Sequence, residues 1–128
     1  MHPVIAIPQL VSVIDDDESI RESLPDLLRE LGFSAEAFAS GEAFLASGVM
    51  YRTRCLVLDV AMPGMSGPGL QEELTRRGHP IPIVFITAQQ DESIRSRVLT
   101  AGAVACLFKP FSDIALFGAV TAALGASA

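Results

Sequence analysis

Arg54-Cys55-Leu56-Val57-Leu58-Asp59 decides the fold. After its first residue the run is apolar without a break, as a strand buried on both faces requires, and that burial is typical of parallel sheets. It closes on an acid that such a strand would not tolerate along its length. Two further runs have the same form. Leu10-Val11-Ser12-Val13-Ile14 leads into Asp15-Asp16-Asp17-Glu18, and Val104-Ala105-Cys106-Leu107 leads into Phe108-Lys109-Pro110-Phe111. Lys109 is the sole lysine, the other basic residues all being arginine. If the three runs are parallel neighbours, acids and an ammonium converge at one sheet edge. That combination points to a phosphoryl or metal site.

Working outward, the segments between these runs read as helices. Ile20, Leu24, Leu27, Leu28 and Leu31 recur at helical spacing before Gly32, a C-cap residue. Pro25 interrupts this pattern, because a mid-helix proline costs about 3 kcal/mol; the chain is expected to kink there or to begin its regular helix late. Ser34 to Phe38 reads as a second strand, and Ser40 to Ala46 as a short helix capped by Ser40. Met62-Pro63-Gly64-Met65-Ser66-Gly67 is a turn-rich loop, followed by a helix from Pro68 to Arg77 that ends at Gly78. Ile83 to Ile86 is expected as strand four, Asp91 to Ala101 as helix four and Ala105 to Phe108 as strand five. Ser112 caps a last helix with an apolar stripe of Ile114, Phe117, Val120 and Leu124. Strands alternating with helices imply an α/β fold, a parallel sheet covered on both faces. In such sheets ligands bind beyond the carboxyl ends of the strands, where Asp15, Asp16, Asp59, Thr87 and Lys109 all fall.

A chain of 128 residues is one domain with a single sizeable core. With 50% hydrophobic but only 6% aromatic residues, that core is aliphatic. Met1 to Gln9, with Pro3 and Pro8, is expected to be a loosely held lead-in packing on an edge; the domain spans 10–125 and 126–128 form a tail. A net charge of −6 disfavours non-specific binding to nucleic acid or anionic membrane. Cys55 and Cys106 fall in buried strands without metal-ligand spacing, as reduced core residues of a cytoplasmic protein do. No 18-residue apolar stretch and no basic N-terminal start suggest a membrane span or signal peptide. His2 and His79 have no ligand partners nearby and read as solvated.

Four motifs, in order, carry a resemblance over residues 10 to 125: Val13-Ile14-Asp15-Asp16-Asp17, Leu58-Asp59-Val60-Ala61-Met62-Pro63-Gly64, Ile86-Thr87-Ala88 and Phe108-Lys109-Pro110-Phe111. Together they resemble the receiver domain of two-component response regulators. Phe38 to Leu45, Met62 to Gly67 and Gly102-Ala103-Val104 are similar to the branch named for the nitrogen-fixation regulator. The resemblance implies a flavodoxin-like, doubly wound five-stranded parallel sheet of order 2-1-3-4-5 with helices on both faces.

It also implies that Asp59 is the phosphoacceptor, attacking a phosphohistidine to give an acyl phosphate. Carboxylates about 4 Å apart repel by roughly 4 kcal/mol at an effective dielectric of about 20, and a divalent cation removes that repulsion. Mg²⁺ suits an oxygen ligand set that keeps waters. By resemblance Asp16 and Asp59 ligate it directly, the backbone carbonyl of Ala61 is a third ligand and Asp15 acts through water. Lys109 is expected to pair with Asp59 before reaction and with a phosphoryl oxygen after it, and Thr87 to donate its hydroxyl to another. Asp17 reads instead as a helix N-cap.

Implied partners are a sensor histidine kinase or phosphotransfer protein and an output protein. A homodimer through the face of helix 4, strand 5 and helix 5 is a further family property. One departure stands out: the family usually has an aromatic ring three residues before the lysine, and here that position is Cys106. The smaller thiol implies a conformational readout that is muted or placed elsewhere. Ala61 and Gln89, two residues after Asp59 and Thr87, are positions that tune dephosphorylation by controlling water.

With no DNA-binding helix-turn-helix in the sequence, the expectation is a stand-alone receiver or the excised receiver of a transcription regulator, catalysing only its own phosphorylation and dephosphorylation. An aspartyl-phosphate phosphohydrolase is the alternative from another class, but such enzymes carry a second acid where this chain has Ala61. A pseudo-receiver scaffold is disfavoured because all five site residues are present.

Overall fold

The structure, a computed structural model, describes residues 8–126. The proposed edge packing of the lead-in falls largely on 1–7, outside the described residues. The strands are β1 (Leu10–Ile14), β2 (Ser34–Phe38), β3 (Thr53–Asp59), β4 (Ile83–Thr87) and β5 (Ala105–Phe108). They alternate with α1 (Glu18–Glu30), α2 (Gly41–Ser47), α3 (Gly67–Arg76), α4 (Glu92–Thr100) and α5 (Asp113–Ala126). All pairings are parallel and the sheet order is β2-β1-β3-β4-β5. This is the flavodoxin-like doubly wound order expected above. A single 3-10 turn, Val49–Tyr51, precedes β3.

Alternation along the strands sends side chains to two separate cores. Val11 and Val13 of β1, Cys55 and Val57 of β3, and Val84 and Ile86 of β4 pack with Leu24 and Leu28 of α1 and Leu116, Val120 and Ala123 of α5. Ile14, Leu56, Leu58, Ile83 and Phe85 pack with Phe44 of α2, Leu70 and Leu74 of α3 and Val98 of α4. Both faces of β3 are therefore dry, which is why its sequence is continuously apolar. Ser12 is the polar exception inside β1. Its hydroxyl meets that of Thr53 at 2.8 Å, and Thr53 in turn donates to the Val49 carbonyl.

Of the two alternatives left open at Pro25, the late start is excluded: α1 runs from Glu18 through Pro25, with Asp17 capping it by accepting from the Ser19 N–H. Pro25 removes the N–H that would bond the Arg21 carbonyl, at a cost of about 3 kcal/mol. Burial of Leu24 and Leu28 offsets this, at about 1.5–3 kcal/mol per side chain. The stripe assigned to α5 is half right: Val120 is buried and Leu124 packs against the core, but Ile114 is 84% exposed and Phe117 43%, and Leu116 and Ala123 are the other buried residues. Residues 114–117 and 119–120 are all apolar, so two overlapping stripes were compatible with the sequence. The helix start, where the Ser112 hydroxyl accepts from the Ala115 N–H, accompanies the other one.

Candidate functional site

The site is built at the carboxyl ends of β1, β3, β4 and β5. β1 delivers Asp15, whose backbone N–H bonds the Phe38 carbonyl at the end of β2. β3 delivers Asp59 and pairs with β4, so Asp59 lies opposite Ile86 in the ladder. β4 ends in Thr87, and Lys109 continues β5 by donating its backbone N–H to the Thr87 carbonyl at 2.8 Å. The Lys109–Pro110 peptide is cis.

Oxygens of Asp15, Asp16 and Asp59 all lie within 4.8 Å of one another, and Asp15 and Asp59 are buried while Asp16 is exposed. Asp15 is the organiser. Its Oδ1 accepts from the Asp17 N–H at 2.9 Å and its Oδ2 accepts from Lys109 Nζ at 2.8 Å. Lys109 Nζ stands 3.8 Å from Asp59 Oδ1. The ammonium thus hydrogen-bonds Asp15 and at the same time forms the expected, longer ion pair with Asp59. The reason is geometric: both carboxylates face the lysine, and the deeper one takes the hydrogen bond.

Asp59 is left short of compensation. Burial, followed by the charge of Asp15, pushes its carboxyl from 3.8 up to about 7; Asp16 adds to the rise, while Lys109 and a hydrogen bond from the Ala61 backbone oppose it. A buried carboxylate between two others is the environment that a divalent cation relieves. The donor set, three carboxylates with an exposed side open to water, suits a hard cation such as Mg²⁺ better than a soft-ligand metal.

Thr87 is 1% exposed and its Oγ1 accepts from the Gln89 N–H at 3.0 Å, so the hydroxyl proton is free for a further acceptor. Gln89 and Ala61 are exposed, beside the site rather than inside it. Cys106 is buried among the α3- and α4-side core residues, and burial raises its thiol pKa. On the same face of β5, the Phe108 ring lies 5.4 Å from the Arg95 guanidinium carbon of α4. His79 is not simply solvated: it is half-buried, with Nε2 at 3.2 Å from the Met50 carbonyl and its ring 5.1 Å from that of Tyr51. It lies away from the acids, as expected.

Two contributors escaped the sequence reading. Gly67 opens α3 against the back of Asp59: its N–H donates to the Val60 carbonyl, and a Cβ there would overlap the Asp59 carbonyl oxygen. A glycine between the capping Ser66 and Pro68 is the signal that might have found it. Arg21 reaches back from α1, Nη1 donating to the Asp15 carbonyl at 3.0 Å. Its signal was a base isolated within an acidic stretch.

Comparison with known proteins agrees with this geometry. The family model described as the response regulator receiver domain matches residues 11–121. Nodulation protein W of Bradyrhizobium diazoefficiens is 43% identical over 95% of this chain and 54% of its own length. Transcriptional regulatory protein FixJ of Azorhizobium caulinodans is 42% identical over 92% of this chain and 56% of its own. The chain thus spans about half the length of these curated relatives. The crystal structure of a response regulator receiver protein from Burkholderia phymatum superposes with a TM-score of 0.79 at 41% identity, covering 93% of this chain and 96% of that one. Sheet order, acidic cluster and sequence agree: the chain belongs to the response regulator receiver domain family, on its nitrogen-fixation-regulator-like branch.

Proposed function

We propose that Asp59 is the phosphoacceptor of a two-component phosphorelay. The observation that carries this reading is the position of Asp59: buried, at a strand end, within 4.8 Å of two other carboxylates and 3.8 Å from Lys109 Nζ. A carboxylate oxygen of Asp59 attacks the phosphorus of a donor phosphohistidine. The P–N bond breaks as the P–O bond forms, and the electron pair leaves with the imidazole, which takes up a proton. The product is an acyl phosphate on Asp59.

Asp16, Asp59 and the Ala61 carbonyl would hold Mg²⁺ directly and Asp15 through water. When bound, the cation lets the carboxylates ionise together and neutralises phosphoryl oxygens. Lys109 then exchanges its Asp15 partner for a phosphoryl oxygen, and the spare Thr87 proton is donated to another. Because the Lys109 bond is already made in the resting state, it contributes only the difference between two ion pairs. The new driving force falls on Thr87, and with Cys106 at the usual aromatic position the conformational readout is small. Gln89, exposed beside Thr87, orients the water that hydrolyses the acyl phosphate.

The functional unit is 10–125, flanked by 1–9 and 126–128, and acts in the cytoplasm. No helix among the described residues is long and apolar enough to cross a membrane. The partners proposed are a sensor histidine kinase or phosphotransfer protein and an output protein or domain. The face of α4, β5 and α5 serves as the homodimer surface.

The test is exposure to a small phosphodonor with Mg²⁺, read by intact mass. One phosphoryl group per chain, absent with chelator and absent in Asp59→Asn, is the expected result. Catalytic turnover of phosphate monoesters would replace this reading by a phosphohydrolase, and uptake unaffected by Asp59→Asn would end it.

A further inference from the structure

We propose that Arg21 is a positioning residue for this site, clamping the β1–α1 turn so that Asp15 and Asp16 present their carboxylates to one cation; this rests on the reading of Asp59 given above. The argument starts from Asp15, whose polar groups are all engaged. Its N–H bonds the Phe38 carbonyl at 3.1 Å, Oδ1 accepts from Asp17 and Oδ2 from Lys109. The fourth group, its carbonyl, is held by Arg21 Nη1 at 3.0 Å. These bonds tie β1 to β2, close the turn, reach β5 and, through Arg21, reach α1.

Arg21 follows Asp17 and Glu18 at helical spacings where ion pairs usually form. Among the described residues it makes no such pair, and its side-chain hydrogen bond goes to the Asp15 carbonyl. A half-exposed arginine surrounded by acids has thus been ordered on a neutral oxygen at the root of the acidic turn. Asp16, exposed and without a side-chain hydrogen bond among the described residues, depends on that turn for its direction.

Charge and positioning predict opposite signs. Removing a positive charge beside three carboxylates should tighten cation binding, whereas releasing the turn should weaken it. Arg29 supplies the control. It lies on the same helix, and its Nη2 donates to the Ala35 backbone carbonyl at 2.9 Å, away from the acids. Arg29→Ala therefore loses the same charge and the same kind of bond, together with an exposed ion pair to Asp26 at 3.0 Å that contributes little to stability.

The experiment is calorimetric titration of the whole chain with Mg²⁺, beside thermal melts. Outer-shell partners of metal ligands typically change affinity 10–100-fold, and Arg21 acts one step further out, so Arg21→Ala should raise the Mg²⁺ Kd about five- to tenfold over Arg29→Ala. Arg21→Lys, which keeps a donor, should recover most of the loss, and the two alanine variants should melt at similar temperatures. A Kd ratio of about threefold or less, or a tighter Arg21→Ala, overturns the proposal. The same preparations are then given a small phosphodonor. Failure of the parent to become phosphorylated would sink the Asp59 reading, while the Kd ratio separately judges Arg21.

Discussion

Gly67→Ala is expected to destabilise the fold by about 3 kcal/mol or more, at or beyond the upper end of the usual range for overpacking. The added Cβ would overlap the Asp59 carbonyl oxygen, lie 2.8 Å from Phe85 Cε1 and come 3.1 Å from Val60 Cα. Two of these neighbours are backbone, so no rotamer change makes room. The N–H of the same residue bonds the Val60 carbonyl, which joins the start of α3 to the exit of β3. Relief by moving α3 therefore moves Asp59, and phosphoryl uptake should fall even where the variant remains folded. Gly118→Ala is the matched contrast. It lies in α5 with nothing within 4 Å of an added Cβ, and should stabilise by about 0.5–1 kcal/mol through helix propensity. Urea denaturation of both would decide; a Gly67→Ala variant within about 1 kcal/mol of the parent would show that the close approach has no energetic consequence.

The second large effect is a stability gain on removing the phosphoacceptor charge. With the Asp59 carboxyl raised from 3.8 to about 7, the folded state binds a proton that the unfolded chain releases. Stability in metal-free solution therefore falls as pH rises from about 4 to about 7, because the unfolded state binds fewer protons across that window. Asparagine cannot ionise, so Asp59→Asn escapes the penalty. Its advantage over the parent should grow by about 2–3 kcal/mol between about pH 5 and about pH 8 in chelator. Mg²⁺ at about pH 8 should shrink the gap by stabilising the ionised parent. Thermal melts at the two pH values, with and without Mg²⁺, make the comparison. An advantage independent of pH would mean that Asp59 is ionised at little cost and that the acids do not strain one another.

The acids and Lys109 were legible because a charge ending an apolar run cannot be explained by a strand buried on both faces. Strand order required the resemblance, since periodicity says that strands are parallel and not which ones touch. The face of α5 was read correctly at Val120 and Leu124 but not in its first turns, because Ile114, Phe117 and Leu116 are equally apolar. Choosing between stripes needs the angle at which the helix meets the sheet. The pairing of Lys109 with Asp59 was legible but its sharing with Asp15 was not, because a sequence gives strand ends without side-chain reach; Asp15, deeper and accepting from two donors, takes the hydrogen bond. Gly67 and Arg21 were missed for a related reason. Each acts on a backbone carbonyl of a site residue, and backbone atoms carry no trace in the order of side chains.

Everything functional here depends on Asp59 being the atom-donating nucleophile, and acyl phosphates can be trapped chemically. The chain would be incubated with a small phosphodonor and Mg²⁺, reduced with borohydride and digested for peptide mass spectrometry. Reduction cleaves the acyl phosphate to an alcohol, so homoserine at position 59 alone is the predicted product. An unreduced Asp59 alongside a phosphoryl group on another residue would contradict the account.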